Sequence, residues 1–124
     1  EDLDAAAHHL RHVDGVMLGR AAYQNPYVLA EADQRFFGAS GAVKSRHDVI
    51  EAYCPYVERE VAAGRHLIGM TRHILGLFNG LRGARAWRRY LSENAPGFDG
   101  TPAEASAIVR EAARFVEDAR RVAA

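Results

Sequence analysis

The sequence predicts a mainly α protein, a helical bundle preceded by a single short strand unit. Three observations carry this. From Ser45 onward, apolar residues recur at helical spacing in four consecutive runs joined by short connections bearing Gly or Pro. Before Ser45, only Val13-Asp14-Gly15-Val16-Met17-Leu18-Gly19 has the length, apolar character and glycine end of a strand. Finally, 124 residues at 48% hydrophobic and 26% charged are enough for one modest core of ordinary globular composition. There is no apolar run of about 18 residues, so no transmembrane span is expected. The acidic start Glu1-Asp2-Leu3-Asp4 lacks the apolar core of a signal peptide. The single cysteine excludes an intramolecular disulfide and fits a cytoplasmic protein. The chain begins without methionine inside helix-like sequence, as expected of a fragment or of a processed product.

Asp2 to His12 reads as a helix. His8 and His12 lie one turn apart on it but have no third ligand at useful spacing, so they read as surface histidines and no metal site is expected. Val13–Leu18 suits a strand of a buried parallel sheet. No second strand is evident, so its sheet partners must lie elsewhere. Gly19-Arg20 then turns into a helix near Ala21. A glycine at a helix N-terminus, with an arginine beside it, can hold a phosphate, and a plain strand-to-helix turn is the other reading. Asn25-Pro26 opens a short helix through Ala30 to Phe37, ended by Gly38, in which Tyr23, Tyr27, Phe36 and Phe37 read as packing residues. Gly38-Ala39-Ser40-Gly41 is a small-residue linker, which puts the domain boundary within residues 39–44 and the domains at 1–38 and 45–124.

Ser45 and Asp48 form a capping box for a helix ending at Gly64, with Val49, Tyr53, Tyr56, Val57 and Val61 inward and a kink expected at Pro55. Cys54 reads as a core side chain, because no His–acid pair is placed to activate it. No catalytic residue is expected in this chain. Leu67 to Phe78 reads as a third helix with Leu67, Met70, Ile74, Leu75 and Phe78 inward. Gly69 and Gly76 share one of its faces, where another helix or a nucleic-acid backbone can come close. His73 reads as a hydrogen-bonded packing residue. Thr101-Pro102-Ala103-Glu104 starts the last helix, with Ala105, Ile108, Val109, Ala112, Val116, Ala119 and Val122 or Ala123 inward and Glu117 able to pair with Arg121.

The helix between these, Gly83 to Ser92, has two faces. Ala84, Trp87 and Leu91 make an apolar stripe, and Arg85, Arg88, Arg89 and Ser92 a cationic one. From Arg65 to Asn94 there are six arginines against the single acid Glu93, a local +5 in a chain of zero net charge, so the remainder carries −5. Like charges stacked on one face repel by a few tenths of a kcal/mol, and a polyanion removes that penalty. Guanidinium groups suit phosphate oxygens and stack on bases. Two readings stay open: a nucleic-acid face, or a solvated face paired with the acidic remainder.

Two segments together resemble one family. Val13 through Pro26 looks like the last barrel strand and following turn of bacterial tRNA-dihydrouridine synthases. Arg72-His73-Ile74-Leu75-Gly76-Leu77-Phe78, followed by Gly83 through Ser92, looks like the signature of their C-terminal helical domain, closest to the A-type subgroup. In one departure, Leu81-Arg82 stands where the family commonly has proline, which loosens the turn and adds a charge. The resemblance implies a parent enzyme built as a flavin-bearing TIM barrel with a helical tRNA-binding domain. Residues 1–38 are then the end of the barrel. In such enzymes NADPH reduces FMN, the flavin passes a hydride to a D-loop uridine, and a cysteine on an earlier barrel loop acts as general acid. Cys54 is not its equivalent. Gly19 and Arg20 match the FMN-phosphate site, and Arg85 and Arg88 match positions that hold tRNA, with Arg89 and Arg72 beside them. The remaining alternative is a self-contained helical module binding RNA or protein.

Overall fold

The computed structural model describes residues 1–118, and every regular element among them is helical. Helix α1 (Leu3–His9) is capped by Asp2, whose side chain accepts from the Ala5 N–H. Helix α2 (Arg20–Gln24) follows Gly19, and a 3₁₀ turn (Pro26–Leu29) and α3 (Ala32–Phe36) stand where one continuous helix was expected. Helix α4 (Arg46–Ala62) begins with the expected capping box, Ser45 and Asp48 bonding each other's backbone, and runs on through Pro55. The remaining helices are α5 (Ile68–Thr71), α6 (Ala84–Asn94) and α7 (Pro102–Ala113), the last capped by Thr101.

The strand expected at Val13–Leu18 does not form. A strand needs a neighbour to satisfy its backbone, and no strand exists among the described residues. Residues 14–18 make no backbone–backbone hydrogen bond there, and Met17 is 85% exposed. The helix expected over Leu67–Phe78 stops at Thr71 and continues as tight turns, with Ile74, Leu77 and Asn79 each donating to the carbonyl three residues back. Side chains take the carbonyls that a helix would have used: Tyr53 bonds Met70, Trp87 bonds Leu75 and Arg46 bonds Leu77. The last helix ends at Ala113, where Nε2 of His47 lies 3.1 Å from the carbonyls of Ala113 and Val116. Ala119, Arg121, Val122 and Ala123 lie outside the described residues.

The core joins α4, α6, α7 and the turn segment. Helix α7 packs on both α4 and α6. The buried side of α4 is Ile50, Cys54 and Val57, while Tyr56, expected inward, is exposed. Its partners on α7 are Ala105, Val109 and Ala112, and Phe78, Leu67 and Leu77 enter from the turns. Of the aromatic residues expected to pack before Ser45, Tyr27 reaches the core and Phe37 and Tyr23 are exposed. The expected stripe of α6 is buried throughout, with Trp87 0% exposed and its ring edge-on to Phe78 at 4.7 Å between centroids. Gly83 starts α6 at φ 93°, with the Phe115 carbonyl packed where a Cβ would stand, so both conformation and space require glycine.

Removing the indole should therefore be costly. Trp87→Ala is expected to lower stability by about 3–5 kcal/mol, and Trp87→Phe, which keeps apolar volume but leaves the Leu75 carbonyl without its donor, by about 1–3 kcal/mol. Urea denaturation followed by circular dichroism checks both. Equal losses in the two variants would contradict the dominance of packing.

Candidate nucleic-acid interface

Helix α6 turns its arginines away from the core because Trp87 holds the opposite face inward. Arg85 and Arg89 are exposed, and Arg88 is half-buried. Arg88 lies over the turn segment, where its Nη1 donates to Oδ1 of Asn79 at 3.2 Å. The amide nitrogen of Asn79 donates in turn to the Gln24 carbonyl at 2.7 Å. That carbonyl packs directly on Gly76, in the place a Cβ would occupy. The close approach expected at Gly76 is thus made by the chain's own backbone at the end of α2. Gly69 has open space around it, so no such approach occurs there.

A second chain of contacts runs alongside. Arg72 is exposed, and its Nε lies 3.4 Å from Nε2 of His73. Nδ1 of His73 lies 3.1 Å from the Tyr23 hydroxyl. His73 is hydrogen-bonded as expected but exposed, so it is not a packing residue. Together these contacts build one open groove of about 400 Å³, lined by Tyr23, Gln24, Arg72, His73, Leu75, Gly76, Asn79 and Arg88. Arg72 and Arg88 therefore share a groove, Arg85 lies on the exposed face of the same helix, and Arg89 sits 4.0 Å from Glu93. Tyr23 and Asn79 carried no site signal in the sequence, since their contacts join residues 50 and 55 positions apart.

The ion pairs fall elsewhere. Arg35 pairs with Asp4 at 2.9 Å, Arg110 with Glu51 at 3.1 Å and Arg114 with Glu111 at 3.2 Å. Among the described residues no carboxylate pairs with Arg72, Arg82, Arg85 or Arg88.

Gly19 and Arg20 lie apart from this groove. Gly19 precedes α2 with no side-chain cap, which leaves the first amides of α2 without a capping acceptor, and Arg20 is exposed. They line a hollow shared with Glu1, Asp2 and His9. Asp2 is turned into its own helix, where the Ala5 N–H holds its carboxyl below the usual range. Uncapped amides and one guanidinium are donors of the kind a phosphate takes, and the Glu1 carboxylate lines the same hollow. His8 and His12 are exposed with ring centroids 6.0 Å apart, and no described group of three ligating side chains comes together. No helix among the described residues is long and apolar enough to cross a membrane.

Residues 1–114 match the family model described as dihydrouridine synthase. The chain is 58% identical over 95 residues, 77% of its length, to the tRNA-dihydrouridine(20/20a) synthase of Vibrio cholerae. It is 60% identical over 93 residues to the protein of the same name from Shewanella oneidensis. It is also 48% identical over 122 residues, 97% of its length, to that of Salmonella typhi. The aligned part covers 29%, 28% and 35% of these relatives, so the chain spans about a third of their length.

On α4 burial keeps two groups protonated. Cys54 is 0% exposed, and burial pushes its thiol up from 9.0. Tyr53 donates to the Met70 carbonyl, and burial, with a smaller contribution from Tyr56, pushes its phenol up from 10.0 to about 12. Both pKa values are raised in the folded state. The stability they contribute is present below the ordinary values and is lost as pH rises through the folded ones. Cys54 is expected to resist a thiol-specific disulfide reagent until urea unfolds the chain. In an absorbance titration Tyr53 should ionise near pH 12, and Tyr53→Phe should remove that step. A thiol that reacts at once in the folded chain would contradict its place in the core.

Proposed function

The chain belongs to the dihydrouridine synthase family, and on that footing we propose that it is the C-terminal part of a bacterial tRNA-dihydrouridine synthase of the A-type subgroup. In this reading residues 1–38 close an FMN-binding TIM barrel, residues 39–44 link, and residues 45–124 form a helical bundle that holds tRNA. The whole enzyme reduces a D-loop uridine with NADPH in the cytoplasm. This chain supplies tRNA binding and not catalysis.

The observation that supports the reading is the convergence of Arg72 and Arg88 on one groove free of ion-pairing carboxylates, with Arg85 exposed one turn before Arg88. Planar guanidinium groups along one exposed face suit a run of phosphates, and neutralising those phosphates releases counterions. Packing of Trp87 on the opposite face means that the arginines can meet RNA without disturbing the core.

FMN, when bound, supplies the hydride-transfer chemistry. Gly19 and Arg20 are the residues that would hold its phosphate. The α2 amides after Gly19 would donate to the phosphate oxygens, and Arg20 would balance their charge. These two residues serve the phosphate end alone, and a whole flavin needs a pocket that buries most of its surface. The 124-residue chain purified by itself is therefore expected to carry no stoichiometric flavin. A yellow preparation with one flavin per chain would overturn that division of labour.

The arginine face is tested in the full-length enzyme. Arg85→Ala with Arg88→Ala is expected to weaken tRNA binding and to reduce the slope of log affinity against log salt by roughly one to two. The stability loss should stay near 1 kcal/mol, from the Arg88–Asn79 bond, because exposed charges contribute little. A tRNA titration at several salt concentrations beside a thermal melt reads both. Early melting with tRNA affinity intact would make these arginines structural and sink the proposal.

A further inference from the structure

Tyr23 is 59% exposed, yet its ring is held in place. Its hydroxyl meets Nδ1 of His73 at 3.1 Å, and the two rings are inclined at 73°, so the imidazole does not stack over the tyrosine face. Its backbone is held as well. The next residue, Gln24, has its carbonyl packed on Gly76 and clipped by Asn79. Nε2 of His73 accepts from Arg72, which leaves the proton of a neutral imidazole on Nδ1, donated to the tyrosine oxygen. The phenolic hydrogen is then free to point into the groove. Fixing an exposed aromatic ring costs rotamer freedom without the return of burial. Rigid aromatic faces beside arginines are how proteins hold unpaired bases.

We propose that this groove is a subsite for one unpaired nucleotide of an RNA, its base stacked on Tyr23 and its flanking phosphates held by Arg72 and Arg88. Every charged side chain lining the groove is an arginine, so it suits an anion. The flat exposed ring selects an unpaired base over a duplex, whose bases already stack on one another. His73 and Asn79 are positioning residues: one fixes the ring, and the other fixes the backbone before Asn25 and the head of Arg88. The inference rests on the reading of this face as an RNA surface.

The test uses the full-length enzyme with a short unstructured RNA and a fully paired RNA duplex of equal charge. Tyr23→Ala is expected to weaken the unstructured RNA about tenfold or more while changing the duplex less than about twofold. Tyr23→Phe, which keeps the stacking face, should stay within about threefold of the unaltered enzyme for both. Arg72→Ala should weaken both RNAs, since phosphate contacts ignore base pairing. The ring protons of Tyr23 should shift upfield in NMR spectra as unstructured RNA is added, a readout that needs no variant. Equal loss of both RNAs in Tyr23→Ala, or ring protons that do not move, would overturn the subsite and leave the arginine face standing. Failure of both RNAs to bind would overturn the subsite and the RNA face together. Polyglutamate shifting the Tyr23 ring as RNA does would give the groove to an acidic protein instead.

Discussion

Trp87 donates its indole N–H to the Leu75 carbonyl at 3.1 Å from a fully buried position, and that contact sets the direction of every arginine on α6. A helix is rigid about its axis, so anchoring one face fixes the other. Residues one and two positions along from the buried stripe then face outward. Arg85 does so on the exposed face, Arg89 does so beside Glu93, and Arg88 does so while bonding Asn79. At the start of α6, the Phe115 carbonyl seated on Gly83 removes the remaining freedom to slide.

The turn segment between α5 and α6 shows why the bond from Trp87 takes the form it does. An α-helix through residues 72–78 would consume its own carbonyls. Here Met70, Leu75 and Leu77 offer theirs to Tyr53, Trp87 and Arg46. Each bond is local on one side and long-range on the other, so the segment ties α4 to α6. Polar side chains that find carbonyl acceptors inside a core avoid the cost of unpaired donors. Asn79 extends the same device outward, using its two amide ends to join Gln24 and Arg88. The groove is a consequence of this irregularity. A continuous helix would keep the carbonyls of this segment for itself and would carry Asn79 along its own axis.

What the sequence made legible was local. The capping box at Ser45 and the side-chain cap at Thr101 need three or four adjacent residues, and the stripe of α6 needs eight. What it hid was relational. Helix α4 contains two overlapping apolar stripes, and only the presence of Val109, Ala105 and Ala112 on α7 selects Ile50, Cys54 and Val57 over Tyr56. The apolar run Val13–Leu18 has a strand's composition, but strand formation is a property of pairs. The helix expected at Leu67–Phe78 had adequate periodicity, and it lost to donors whose sequence positions lie 12 to 31 residues away. On the site side, the arginines stood out as a cluster. The residues that shape the groove around two of them, Tyr23 and Asn79, could be found only after folding.

Net charge misleads here for a physical reason. The chain totals zero, which by itself says nothing about RNA. At physiological ionic strength the screening length is about 8 Å, so a ligand in the groove feels the groups lining it and little of the distant surface. The acids of the remainder are partly spent on their own cations: Asp4 on Arg35, Glu51 on Arg110 and Glu111 on Arg114. The segment from Arg65 to Asn94 keeps its +5, with Glu93 and Glu60 the only carboxylates pairing with its arginines among the described residues. A polyanion approaching along α6 therefore meets a locally cationic surface. The segregation also brings that charge beside a groove wall of fixed geometry, where the direction of each guanidinium matters as much as its sign.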